Sequence, residues 1–307
     1  MAGKLEGQMF DVICIVGPTA VGKTKLGIEL AKMLGTDVLS GDAMQIYKGL
    51  DIGTAKVSEL EMEQVRHHLI DERQPSESYS VRDYQVTVRA KIEELRGQGK
   101  VPLIVGGTGL YVKSVLYDYE FTESARRDCQ YEGLTNEELH ERLSRVDPSE
   151  ALVIHPNNRK RVVRALNIFD ETKERKSELI GRQERKLVYN ALVIGLTDKR
   201  EALYGRINAR VDKMVEAGLV EEVRCLYETG VPKEAQAIQA IGYKELYAYF
   251  DGELTQDAAV ELIKRNSRRL AKRQYTWFNN QMDVTWFNVN ACDFDATVRD
   301  VKAFLLE

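Results

Sequence analysis

Residues 11–34 read DVICIVGPTAVGKTKLGIELAKML, and their order decides the fold. Asp11 to Val16 is a short β-branched apolar run that ends in Gly-Pro, the pattern of a strand buried on both faces of a parallel sheet. From Lys25 to Leu34, Leu26, Leu30 and Leu34 recur at helical spacing, and Gly35 stops the run. Between strand and helix lies GPTAVGKT, a GxxxxGKT phosphate-binding loop of Gly17, Pro18, Thr19, Ala20, Val21, Gly22, Lys23 and Thr24. Its glycines let backbone amides turn inward, its lysine neutralises phosphate oxygens, and its threonine can hold Mg²⁺. The loop has the strand before it and the helix after it that its chemistry requires.

Working outward, Thr36–Ser40 (TDVLS) reads as a second strand, 81–96 as a helix, Val101–Val105 (VPLIV) as a strand closed by GGTG, and Leu192–Leu196 (LVIGL) as a later strand. This alternation predicts an α/β fold: a P-loop NTPase-like parallel sheet flanked by helices. After about residue 118 the chain becomes richly charged with helically spaced apolar residues. Thr135 followed by Glu138 is a helix-start signature there. The expected organisation is a catalytic core of 1–118 and 191–307 with a helical insertion domain at 119–190.

The chain has 307 residues, 43% hydrophobic and 30% charged, with a net charge of −4. Bulk charge therefore does not mark a nucleic-acid binder, but two basic runs do locally: RKRVVR at 159–164 and KRNSRRLAKR at 264–273. The second places its charges four apart along a helix, with Tyr275, Trp277 and Phe278 following, a combination that suits RNA phosphates and bases. Cys14, Cys129, Cys225 and Cys292 are scattered, which fits free thiols in a reducing cytosol and excludes the usual zinc modules. MAGKLEGQMF has no signal-peptide apolar core, and no apolar run is long enough to span a membrane.

Motor ATPases usually carry an apolar strand ending in a metal-holding Asp. VPLIV runs instead into Gly106-Gly107-Thr108-Gly109, which leaves small-molecule kinases and non-hydrolytic transferases open. Asp42, just past the second strand, would face the same crevice as the loop. It could be a general base, an indirect metal ligand or a turn residue capping its own backbone.

GPTAVGKT, GDAMQIYKGLDIGTAK, HHLID, VGGTGLY, NNRKRVVRALNIF, RINARVDKMVEAGLVEEV, AIQAIGYKEL and RLAKRQYTWFNN occur in that order. Together they resemble the bacterial tRNA dimethylallyltransferases over about residues 10–288. The resemblance implies that the loop holds the diphosphate of dimethylallyl diphosphate, with Mg²⁺ at Thr24. It implies transfer of the dimethylallyl group to the exocyclic amine of the adenosine 3′ of the anticodon. Asp42 would be the base that accepts the amine's proton, and Thr108 and Arg210 would reach the diphosphate or the adenosine, with Arg206 assisting. Contacts to tRNA would come from Asp42, Ala43, Met44, Gln45, Thr108 and Arg127. Further contacts would come from Lys160, Arg161, Val162, Val163 and Arg164, and from Gln239, Ala240, Ile241, Gly242, Tyr243 and Lys244. The insertion would clasp the anticodon stem-loop, and a cytoplasmic monomer is expected. The alternative is a P-loop small-molecule kinase. His67 and His68 read as structural.

Overall fold

The computed structural model describes residues 4–5, 8–121, 128–182 and 186–306. They divide into two compact units, Met1–Leu116 with Leu187–Glu307, and Tyr117–Lys186. The breaks fall at 116/117 and 186/187, against the expected 118/119 and 190/191.

The larger unit is built on a parallel sheet of six strands: β1 (Val12–Val16), β2 (Val38–Ser40), β3 (His67–His68), β4 (Leu103–Val105), β5 (Ala191–Thr197) and β6 (Thr285–Asn288). Their order across the sheet is β3-β2-β4-β1-β5-β6. β1 lies inside, with Ile13 opposite Leu103 on one side and Leu192 on the other. Every β1 residue is fully buried, as an apolar strand covered on both faces must be. Helices α1 (Lys23–Leu34), α2 (Glu59–Gln64), α3 (Val81–Gly97) and α4 (Gly109–Leu116) accompany the first four strands. On α1, Leu26, Ile28, Leu30 and Ala31 face the apolar core, and Gly35 closes the helix in the left-handed conformation.

Two outer strands have no counterpart in the sequence reading. β3 is only two residues long, and β6 (TWFN) has two half-buried residues between exposed ends. Neither has the apolar run that identifies a covered strand.

The smaller unit is helical throughout its regular elements: α5 (Asn136–Val146), α6 (Pro148–Val153), α7 (Arg159–Thr172) and α8 (Lys176–Arg182), with one short 3₁₀ turn at Asp128–Tyr131. Thr135 and Glu138 form the reciprocal capping pair at the start of α5. The unit has its own core, in which Leu139, Leu143, Ile154, Val162 and Leu166 meet. Buried Asp147 caps α6 and also accepts the Ser177 amide and hydroxyl at 2.9 and 2.7 Å, which ties α8 to it.

After β5 the chain returns to the larger unit with α9 (Arg200–Glu216), α10 (Leu219–Glu228), α11 (Tyr243–Phe250), α12 (Gln256–Gln281) and, beyond β6, α13 (Phe294–Leu306). Because the strands are parallel, the loops after β1, β2 and β4 emerge at one edge of the sheet, where crevices form in open α/β folds.

Two of those loops meet with no side chain between them. A Cβ on Gly106 would sit 2.1 Å from the Gly41 carbonyl carbon, closer than any real contact. Gly106→Ala should therefore lower unfolding free energy by about 1–3 kcal/mol, the usual cost of overpacking, as a urea melt would show.

Candidate active site

The phosphate-type loop is shaped by where its glycines sit. Gly17 has φ +138°, and a Cβ there would lie 2.5 Å from the Leu196 carbonyl on β5. Gly22 has φ +103°, and a Cβ would enter the Phe294 ring of α13. These conformations and approaches are open only to glycine. Gly22 stands at the start of α1, whose first turn holds no acidic residue and no side-chain cap. Its amides and the positive end of the helix dipole are thus left to an anion from outside the chain. Lys23 folds back to donate to the Pro18 carbonyl at 2.8 Å.

One amide side chain fastens this loop to the next. Gln274, on α12, accepts from the Thr19 amide at 2.9 Å and donates to the Gly107 carbonyl at 3.0 Å. Thr108 then joins the third loop: its amide donates to the Gly41 carbonyl at 3.1 Å, and its hydroxyl oxygen accepts from the Ala43 amide at 3.1 Å. Thr108 therefore holds the Asp42 segment in place. Asp42 Oδ1 accepts from the Met44 amide at 2.9 Å, a local turn bond. Gln45 accepts from the Ser40 hydroxyl and donates to the Thr54 and Ala55 carbonyls.

These loops and one face of α9 enclose a cavity of about 590 Å³ whose lining includes Lys23, Thr24, Asp42, Gln45, Lys56, Arg206 and Arg210. Its electrostatics are unusual for their shortage of negative charge. Burial pulls Lys23 down to about 8; Asp42 works against this and Arg210 adds to it. Burial also lowers Arg210, with Asp42 opposing. A partly desolvated Lys and Arg that repel each other across a cavity are both relieved by a bound anion. Arg206, expected to assist at the reacting groups, lines the same cavity, donates to the Ala20 carbonyl at 3.2 Å and pairs with Asp198 at 2.6 Å. It braces the loop against α9.

The residues expected to meet tRNA are dispersed. Ala43, Met44 and Gln45 lie half-buried beside Asp42. Lys160, Arg161 and Arg164 are exposed on α7 of the smaller unit. The side chains of Val162 and Val163 are buried in that unit's core, because a helix that shows its charges outward turns the intervening residues in. Arg159, part of the same basic run, donates to the Leu134 and Tyr131 carbonyls at 2.6 and 2.8 Å and serves the fold. In the Gln239–Lys244 segment, Gln239 and Lys244 are exposed and Ile241 is half-buried. Ala240, Gly242 and Tyr243 are buried. Arg127 lies outside the described residues.

In the second basic run, Lys264 pairs with Asp212 and Glu261, and Arg268 donates to Asn208; Arg265, Arg269, Lys272 and Arg273 remain exposed. Trp277 is half-buried over Gly109, and Phe278 is buried in the core. His67 Nδ1 donates to the Val65 carbonyl at 2.8 Å, and His68 meets Asp37 at 2.9 Å. The sequence reading did not single out Gln274 or Lys56. Both lie inside quoted blocks, but their partners are distant in sequence or in another loop.

The family model described as IPP transferase matches residues 45–281. The chain belongs to the IPP transferase family. Among curated family members, the tRNA dimethylallyltransferase of Bacillus subtilis is 55% identical over 285 residues, covering 91% of this chain and 90% of that protein. That of Anoxybacillus flavithermus is 54% identical over 281 residues, covering 91% and 90%. The crystal structure of a tRNA isopentenylpyrophosphate transferase from Staphylococcus epidermidis aligns with a TM-score of 0.72 at 43% identity, over 95% of this chain and 97% of that one. A eukaryotic dimethylallyltransferase acting on tRNA aligns with a TM-score of 0.83 at 29% identity, over 95% and 77%.

The Lys23 environment makes a direct prediction. Its ammonium should titrate near 8, well below exposed lysines, as NMR of the labelled ε-carbon would report. Because the folded value is depressed, the charged form costs stability below about pH 8. That cost fades as pH rises towards the unfolded value. An anion in the cavity should move the titration back up.

Proposed function

We propose that this chain transfers a dimethylallyl group from dimethylallyl diphosphate to the exocyclic amine of the adenosine 3′ of the anticodon in tRNA, releasing diphosphate. The observation that carries the reading is the cavity. A glycine loop, a helix start, Lys23 and Arg210 surround a space lined by the carboxylates of Asp42 and Glu61, and curated members of the family bear that activity in their names.

An allylic carbon–oxygen bond breaks with carbocation character, so the barrier depends on stabilising the departing diphosphate. Loop amides, Lys23 and Arg210 would stabilise that developing charge. The adenine amine is a weak nucleophile. As its nitrogen bonds to the allylic carbon, its proton passes to Asp42 and the electron pair of the broken bond leaves with the diphosphate. Oδ1 of Asp42 is held by Met44, and this bond orients the carboxylate.

The residues also fit Mg²⁺. Thr24 offers one hydroxyl beside the phosphate-type loop, and Mg²⁺ characteristically takes one or two protein oxygens with the rest from phosphate and water. Among the described residues there is no cluster of three or more acidic, His or Cys side chains that would form an all-protein cage. When bound, the ion would supply charge neutralisation on the diphosphate.

For RNA, exposed Lys160, Arg161 and Arg164, together with Gln239 and Lys244, would take phosphates, and the target base would leave its stack to enter beside Asp42–Gln45. No helix of the described residues is long and apolar enough to cross a membrane. The protein would act as a monomer where its tRNA is, in the cytoplasm. No specific observation favours the small-molecule kinase: β4 runs directly into Gly106–Gly107, with no metal-holding carboxylate at its end.

Asp42→Ala separates chemistry from binding. It should cut single-turnover prenyl transfer by about 10²–10⁴-fold, the usual worth of a general base, while tRNA affinity in a filter-binding assay stays within a few-fold. Transfer at the normal rate would remove Asp42 from the role of base.

A further inference from the structure

One part of the cavity wall is the segment Thr54–Val57, and it contains no regular element of its own. Ala55 sits at φ +47°, a left-handed conformation that a non-glycine residue adopts only where its surroundings enforce it. From the cavity side, the Gln45 amide holds the Thr54 and Ala55 carbonyls.

Lys56 pairs with Asp51 and Asp71, and the preceding segment, Asp51–Gly53, is gripped by one carboxylate. Glu222, on α10, accepts from three successive backbone amides, Asp51 at 2.9 Å, Ile52 at 2.7 Å and Gly53 at 3.1 Å. Its Oε1 also accepts from the Tyr243 hydroxyl at 2.6 Å. The Tyr243 ring presses on Gly53 so closely that a Cβ there would lie 2.6 Å from it. Backbone amides that converge on one carboxylate make charge-assisted bonds, stronger than neutral ones. Glu222 does not line the cavity; it acts through the segment it grips.

We infer that Glu222 is a positioning residue for the prenyl donor: by gripping Asp51–Gly53 it sets the Thr54–Val57 wall against which the donor is held. The inference rests on the donor occupying this cavity, as proposed above. Glu222→Gln keeps the shape but turns an amide N–H₂ towards backbone N–H groups, so the grip fails at part of its contact. A wall displaced by an ångström near a reacting group costs one to two orders of magnitude.

The test measures KM for dimethylallyl diphosphate, kcat and melting temperature for wild type, Glu222→Gln, Glu222→Asp and Val223→Ala. Val223 is fully buried on the same helix, and its truncation serves as the stability control. Glu222→Gln should raise the donor KM about tenfold or more, Glu222→Asp should recover part of it, and Val223→Ala should stay within twofold of wild type at a comparable loss of melting temperature. If Glu222→Gln does not fold, Tyr243→Phe removes one of the four donors while keeping the ring on Gly53, and should raise the donor KM by about threefold. A wild-type protein that transfers the group while Glu222→Gln, or Tyr243→Phe in its place, leaves KM within twofold overturns the inference alone. So does an equal KM rise in Val223→Ala. A wild-type protein that transfers nothing overturns the functional reading and the inference with it.

Discussion

The structure depends on an electrostatic imbalance. Lys23 and Arg210 are both pulled below their ordinary values by burial, Arg210 lowers Lys23 further, and Asp42 alone is placed to raise both. A pair of desolvated cations that share one carboxylate is poorly compensated, and a multiply charged anion corrects the deficit. The fold therefore has to hold these groups together against their repulsion, and most of the site's unusual features serve that end.

Backbone contact does the holding. Gly17 lies against the Leu196 carbonyl, Gly106 against the Gly41 carbonyl and Gly107 against the Gln274 amide, each closer than a Cβ permits. These contacts draw the loops after three strands to one point. Gln274, Thr108 and Glu222 then secure the loops with hydrogen bonds to main-chain groups, which fixes position without adding charge to the cavity. Arg206 and Lys56, cationic in sequence, are already neutralised by Asp198 and by Asp51 and Asp71. Among the described residues lining the cavity, Lys23, Arg210 and Lys213 have no such bridge.

What was legible in the sequence was whatever a local pattern encodes. The run from Asp11 to Leu34 has strand, loop and helix in contiguous order, and the structure places β1 and α1 within two residues of that reading. The helix start at Thr135 followed from a spacing of three residues. The edge strands β3 and β6 carry no such pattern, because an outer strand needs no continuous apolar run. Charge runs were only half legible. RKRVVR and KRNSRRLAKR announce basic surface, but Arg159, Lys264 and Arg268 are spent on intramolecular partners, and Val162 and Val163 face inward. Which cation is free depends on what lies across the helix, and no one-dimensional spacing records that. The same limit hid Gln274 and Glu222. Their roles lie in contacts to Thr19 and to Asp51–Gly53, more than 160 residues away in sequence.

The central claim is that the glycine loop holds a leaving group rather than a phosphoryl donor. The most direct measurement supplies the purified protein with Mg²⁺, unmodified tRNA carrying the target adenosine, and dimethylallyl diphosphate or ATP in separate reactions. Digested nucleosides are then weighed and released phosphates identified. The account predicts an adenosine heavier by one dimethylallyl group, with one diphosphate released per transfer and no turnover of ATP in the absence of RNA. Unmodified adenosine together with ATP consumed would contradict it.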